Sequence, residues 1–342
     1  MITTPFPHAP TPGTATEVAE GILWLRLPLP MALDHVNVYA LRDAQGWTLV
    51  DTGVNTENTR AIWETVLTGP LADAPVHRLI VTHHHPDHVG LAGWFQARGA
   101  TLMMTRTAWL TARMLTLDVQ DRPSSEKITF WQTAGIDRQA LEKRRQKRPF
   151  NFADAVAPLP LGFTRLDEGA TITMGGRRWI IRLGQGHAPD HATFWADDGE
   201  IVLGGDQLLA TISPNLGVYA TEPDADPVGE WLESCTALRP YARDSHMVLP
   251  GHKLPFMGLP ERMAQLIDNH KHALDRLRTH LGAAPRTAVA CFPPLFKRDI
   301  DAGTYDLALA EAVGHLNHLH RLGQVSRTLN ADGAWVWSLN EI

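Results

Sequence analysis

The chain has 342 residues, 44% of them hydrophobic and 20% charged, a balance that supports a large buried core and excludes a disordered or fibrous protein. Its net charge of -6 is spread without a long acidic tail and gives no general attraction for nucleic acid or an anionic membrane. Cys235 and Cys291 are too few for a disulfide framework and match no metal-spacing motif, and no apolar stretch approaches the about 18 residues of a membrane span.

Residues 1–16 carry four prolines and are expected to form a loose, flexible arm. The first residues, MITTPFPHAPTPGTA, lack the basic start and apolar core of a secretory signal, so a cytoplasmic location is expected. Between Gly21 and Gly53 the runs ILWLRLPL, HVNVYAL and WTLVDTG predict strands, the last ending in the turn Asp51-Thr52-Gly53. Asp34, His35 and Asn37 precede Val38 and Tyr39; they are candidates for the mouth of a site or for an ordinary loop. Asn58 to Leu67 predicts a helix with Ile62, Trp63, Val66 and Leu67 on one face.

The apolar run Leu79-Ile80-Val81 leads directly into THHHPDH, which brings His83, His85, Asp87 and His88 to the end of a buried strand. Histidines two apart on an extended backbone point to one side, and the following turn bends Asp87 and His88 back towards them. Imidazole and carboxylate suit zinc and similar metals. His84 occupies the free position and is expected to point away. A helix from about His88 to Arg98 follows.

Residues 105–160 interrupt this alternation with helical periodicity, the basic run Glu142 to Arg148 and a proline-rich stretch. They predict a helical insertion over the metal edge, its basic run being either a phosphate or carboxylate contact or a solvated face. Three later apolar runs each end in glycine and a ligand type: Trp179-Ile180-Ile181 to Gly186-His187, Ile201-Val202-Leu203 to Gly205-Asp206, and Met247-Val248-Leu249 to Gly251-His252. Glycine allows close backbone approach to a metal. The seven residues fit a two-metal site, with His83, His85 and His187 on one ion, Asp87, His88 and His252 on the other, and Asp206 between them. His191, four residues after His187, is a candidate to reach the substrate oxygen or to make a structural hydrogen bond.

After His252 a long helix is predicted from Leu259 to Leu281, then a proline-rich link, a helix near Tyr305 to Leu322, and two strands joined by Asn330-Ala331-Asp332-Gly333. Helices followed by a hairpin predict a winged-helix-like domain over 256–342. Its nine Lys or Arg against nine Asp or Glu make it neutral, which favours packing or a homodimer over nucleic-acid binding. His315, His318 and His320 are expected to be exposed or capping residues.

HxHxDH followed by a distant His, an Asp and a final His resembles the signature of the metallo-β-lactamase fold superfamily over roughly residues 15 to 255. The resemblance implies an α/β, four-layer αββα sandwich over 17–255. Lactamases proper have Cys or Ser where this chain has Asp206, which argues against antibiotic hydrolysis; the diiron flavoproteins have Glu in place of His85. The ligand set looks most like glyoxalase II, the lactonases and the nuclease-like members. Glyoxalase II itself fits less well, because its glutathione-binding tail is not matched. Lactonases place a Tyr shortly after the bridging Asp, where this chain has Gln207, Leu208 and Leu209; Tyr219 is the candidate substitute.

The implied cofactor is a pair of divalent ions, zinc by default, with iron or manganese compatible with the ligands. Such a pair lowers the pKa of bound water to about 7 and supplies a bridging hydroxide to attack a carbonyl or phosphoryl centre. Asp87 would ligate and orient the nucleophile, and Asp51 would fix a ligand histidine from behind. The expected activity is hydrolysis of a small acyl compound, a thioester or lactone; the alternative is a phosphodiesterase or endoribonuclease using the same metals and the C-terminal domain. No membrane partner is expected.

Overall fold

In the computed structural model, which describes residues 1–296 and 298–341, the chain divides into two compact units. The first comprises Met1–Val119, Asn151–Pro214 and Leu238–Met263; the second comprises Gln120–Phe150, Asn215–Ala237 and the chain from Ala264 onward.

The first unit holds two sheets. One has seven strands in chain order: β1 (Thr16–Ala19), β2 (Ile22–Pro28), β3 (His35–Asp43), β4 (Gly46–Val50), β5 (Val76–Ile80), β6 (Thr101–Met104) and β7 (Thr164–Arg165). Pairing is antiparallel from β1 to β4 and parallel from β4 to β7. The helices α1 (Glu57–Thr68), α2 (Pro86–Val89), α3 (Ala92–Gln96) and α4 (Arg106–Leu117) accompany this sheet. The second sheet has β8 (Thr171–Met174), β9 (Arg177–Gly184), β10 (His191–Ala196), β11 (Ile201–Gly205) and β12 (Met247–Pro250), in the order β12-β11-β10-β9-β8, with only β11 and β12 parallel.

The period of two in a strand assigns the cores. On β3, Val36, Val38 and Ala40 face a cluster containing Trp63 of α1, Phe95 of α3 and Trp109 of α4. Tyr39 and Leu41 face the other way, into a cluster that includes Trp179, Ile181, Phe194, Leu203 and Leu249 of the second sheet. A strand buried on both faces reads as a continuous apolar run, which is why HVNVYAL shows no alternation. The outer face of the second sheet is buried as well along β10 to β12, at Thr193, Trp195, Val202 and Val248.

Residues 1–16 are not a loose arm. Thr3 pairs with Met257 through reciprocal backbone hydrogen bonds, and Phe6 packs edge-on to Trp24. The expected single insertion is also divided: α4 buries Ala108, Trp109 and Ala112 in the first unit's core, whereas residues 120–150 group with the second unit.

That second unit contains α5 (Ser125–Thr133), α6 (Arg138–Gln146), most of α7 (Pro227–Leu238) and of α8 (Leu259–Ala283), α9 (Phe292–Leu295), α10 (Tyr305–Arg321) and the hairpin β13 (Val325–Leu329) to β14 (Trp335–Leu339). Asn330 shapes the hairpin turn by accepting from the Asp332 and Ala334 amides. The basic helix α6 is tied down within this unit: Arg144 pairs with Asp306 at 2.7 Å and lies over Trp131 and Tyr305. His315 and His318 are buried rather than exposed; His315 Nδ1 donates to the Glu311 carbonyl, and His318 Nδ1 sits 3.0 Å from the Asp226 carboxylate. Among the described residues no helix is long and apolar enough to cross a membrane.

Candidate metal centre

All seven expected ligands come from the ends of strands in the first unit. His83 and His85 follow β5; Asp87 and His88 lie on the single turn of α2, which Pro86 opens with its fixed φ. His187 stands in the loop between β9 and β10, Asp206 directly after β11, and His252 just after β12.

Three ring nitrogens converge first: His83 Nε2 is 3.0 Å from His85 Nδ1, which is 3.1 Å from His187 Nε2. A second set faces them. His252 Nε2 lies 3.4 Å and His88 Nε2 3.5 Å from Asp87 Oδ2. Asp206 stands between the sets, with Oδ1 3.5 Å from His88 Nε2, and Oδ2 3.4 Å from His187 Nε2 and 3.1 Å from His252 Nε2. His83 with His85 and His187, His83 with His88 and Asp206, and Asp87 with His88 and His252 each bring three donor atoms within 4.8 Å of one another. Among the described residues these are the clusters with that geometry, so the histidines of α10 form none.

Hydrogen bonds behind the rings decide which nitrogen looks inward. The Thr82 hydroxyl donates to Asp51 and can then accept from His83 Nδ1 at 3.0 Å, which leaves His83 Nε2 bare. His88 Nδ1 donates to Asp51 Oδ2 at 2.8 Å, and His252 Nδ1 to the His35 carbonyl at 2.7 Å. Buried His88 Nε2 and Asp206 Oδ1 have no hydrogen-bond partner. Converging ring nitrogens and orphaned buried polar atoms are a poor arrangement for a protein core and a good one for divalent cations.

Charge gives the same answer. Burial, reinforced by neighbouring histidines, holds His83 and His85 well below the ordinary imidazole value and therefore neutral. For His252 burial pulls down, but Asp206 and Asp87 outweigh it and raise the ring to about 10; His88 is raised for the same reason, with Asp51 contributing. Burial pushes the Asp206 carboxyl up, and the opposing pull of His252, His88 and His187 leaves it well below the usual carboxylate range. The metal-free cluster thus holds protons where positive charge belongs.

Asp51 lies behind His88: its carboxylate accepts from the Thr82 amide and hydroxyl and from His88. His191 does not face the cluster's open side. It is fully buried, its ring stacks on His83 at 4.5 Å, and Nε2 accepts from the Asp206 backbone N–H at 3.0 Å, which makes it a structural partner of Asp206. Asp190, at φ 50°, braces the loop carrying His187 by exchanging hydrogen bonds with Gln185. The His84 ring lies 4.6 Å from that of His85 and stacks on Phe152 at 6.2 Å, and it enters none of the three donor clusters. Tyr219 belongs to the second unit.

No local pattern marks Thr82, or the bracket that β3 places on the His252 loop. Asn37 Nδ2 donates to the Pro250 and Lys253 carbonyls and Tyr39 Oη to the Pro250 carbonyl. These partners lie more than 200 residues apart in the chain, beyond any local signal.

Comparison with known proteins agrees with this geometry. Residues 31–252 match the metallo-beta-lactamase superfamily model, and residues 274–340 match the model of a metallo-beta-lactamase-like C-terminal domain. The chain belongs to the metallo-beta-lactamase superfamily. It is similar over 99% of its length, with 35% identity and a TM-score of 0.90, to a crystal structure of a beta-lactamase domain protein from Burkholderia ambifaria, of which it covers 98%. A metallo-beta-lactamase family protein from Thermus thermophilus is 26% identical with a TM-score of 0.78, over 95% of this chain and 100% of that one. The probable metallo-hydrolase YqjP of Bacillus subtilis (strain 168) is 26% identical over 306 residues, 88% of this chain and 92% of the relative.

Proposed function

We propose that this hydrolase of the metallo-beta-lactamase superfamily cleaves a small acyl compound, a thioester or a lactone, with two divalent metal ions, zinc by default. The observation that carries the reading is Asp206, whose two oxygens face different histidines, Oδ1 towards His88 and Oδ2 towards His187 and His252. On this reading His83, His85 and His187 would hold one ion and Asp87, His88 and His252 the other, with Asp206 placed between the two sets. Ions held in such a set polarise an acyl oxygen and lower the pKa of bound water towards about 7.

The chain's own groups divide the remaining work. Asp87 is the cluster carboxylate nearest solvent, with its side chain 22% exposed against 8% for Asp206, so it is the group that meets the nucleophile, accepts its proton and orients it. His88 and His252, almost fully buried, hold the inner wall and exclude water behind the reacting centre. His191 acts through another residue: by accepting the Asp206 amide proton it fixes where that carboxylate points.

The test is turnover of three probes, an acyl thioester, a lactone and a phosphodiester, by the purified protein loaded with zinc. Thioester or lactone cleavage is expected. Cleavage of the phosphodiester alone would replace the proposal with a nuclease-like activity.

A further inference from the structure

The segment that delivers His252 is held unusually tightly from the start of β3. Asn37 N–H donates to the Gly251 carbonyl at 2.7 Å, and its Nδ2 donates to the carbonyls of Pro250 at 2.9 Å and Lys253 at 2.7 Å. The Tyr39 hydroxyl donates to the Pro250 carbonyl at 2.9 Å, and His252 itself donates to the His35 carbonyl. The last contact concerns the residue after the ligand: Lys253 N–H donates to His35 Nε2 at 2.9 Å. Lys253 is left-handed, at φ 68°, a conformation that costs a non-glycine residue energy and persists only where its surroundings impose it.

The tautomer of His35 follows from these partners. A backbone N–H can only donate, so in the neutral ring Nε2 carries the lone pair and Nδ1 the proton, which goes to Asp34 Oδ1 at 2.6 Å; Arg26 Nη2, also 3.0 Å from Nδ1, donates to the Asp34 carboxylate instead. Asp34 is in turn paired with Arg26 at 3.2 Å. A surface ion pair therefore orients a buried ring, and that ring holds the strained residue next to a candidate ligand. None of these contacts reaches His83, His85 or His187.

We infer that His35, oriented by Asp34, is a positioning residue for His252 and sets the affinity of one ion only, the one assigned to Asp87, His88 and His252. The inference rests on the two-ion reading above. Its physical basis is that metal sites tolerate misplacement of a ligand by only about 0.5 Å, and that partners behind metal ligands typically change affinity by about 10–100-fold.

The experiment is a Zn²⁺ titration of the full chain against a chromophoric chelator, resolving two successive affinities, with thermal unfolding of each metal-free variant in parallel. His35→Phe keeps a ring and removes both nitrogens; His35→Gln restores an acceptor near the Nε2 position. The expected result is a loss of about 10–100-fold for one ion in His35→Phe, an unchanged affinity for the other, and recovery of most of the loss in His35→Gln. Asp34→Asn, at an exposed position, should weaken the same ion by a smaller factor and serves if His35→Phe does not fold. Wild-type affinities in His35→Phe, or equal loss of both ions with no recovery in His35→Gln, would overturn the inference. His252→Ala separates the two ideas: if it leaves both affinities intact, the two-ion reading itself fails.

Discussion

Gly251 and Gly205 show why glycine precedes two of the candidate ligands. A Cβ at Gly251 would stand 2.2 Å from Asp206 Oδ1 and 2.9 Å from His88 Cε1; one at Gly205 would stand 2.5 Å from the His191 ring. Gly251→Ala must therefore displace the carboxylate between the two sets, and we expect it to lower the bound-metal content of the purified protein with little change in secondary structure by circular dichroism. His252 sets a pH dependence in the metal-free chain. Its folded-state pKa, about 10, lies above the ordinary 6.5, so its pairing with Asp206 and Asp87 stabilises fully below about pH 6.5 and is lost as pH rises through about 10. Thermal unfolding of the chelated protein should accordingly move to lower temperature across that window. On the proposed two-ion reading ion binding has the opposite slope, because His88 and His252 would have to release protons to the solvent, and affinity should rise with pH over the same range. The seven cluster residues were legible because each follows an apolar run and its turn; Thr82, Asn37 and Tyr39 were not, because their roles exist only once distant strands meet.

Among the elements, α1 illustrates how packing supports the site at a distance. Thr56 caps it by accepting from the Thr59 amide, and Trp63 is fully buried, edge-on to Phe95 at 4.9 Å, with Nε1 donating to the Thr52 carbonyl at 2.7 Å. That carbonyl adjoins Asp51, which is held at φ 65° and anchors His88. Trp63→Ala should cost about 3–5 kcal/mol of stability, measured by chemical denaturation, and should weaken metal retention through the Asp51 turn. The helix was readable from the spacing of Ile62, Trp63, Val66 and Leu67, and the C-terminal hairpin from its Asn330–Gly333 turn. Local patterns did not reveal that α4 and residues 120–150 go to different units, since α4 and α6 are both amphipathic and only their partners distinguish them. Arg144 makes the point: on the sequence it is one charge in a basic run, yet it pairs with Asp306 and covers Trp131. Arg144→Ala should destabilise the protein by about 1 kcal/mol, detectable as a lower unfolding midpoint.

For the molecule as a whole, we propose that one carboxylate, Asp206, would join two metal sets that the chain assembles from four separate strand ends. The most direct test is metal analysis of the purified wild-type protein and of Asp206→Ala after equal exposure to zinc. About two ions per wild-type chain, falling to one or fewer in the variant together with loss of thioester or lactone turnover, is the predicted result; two tightly held ions and normal turnover in Asp206→Ala would contradict it.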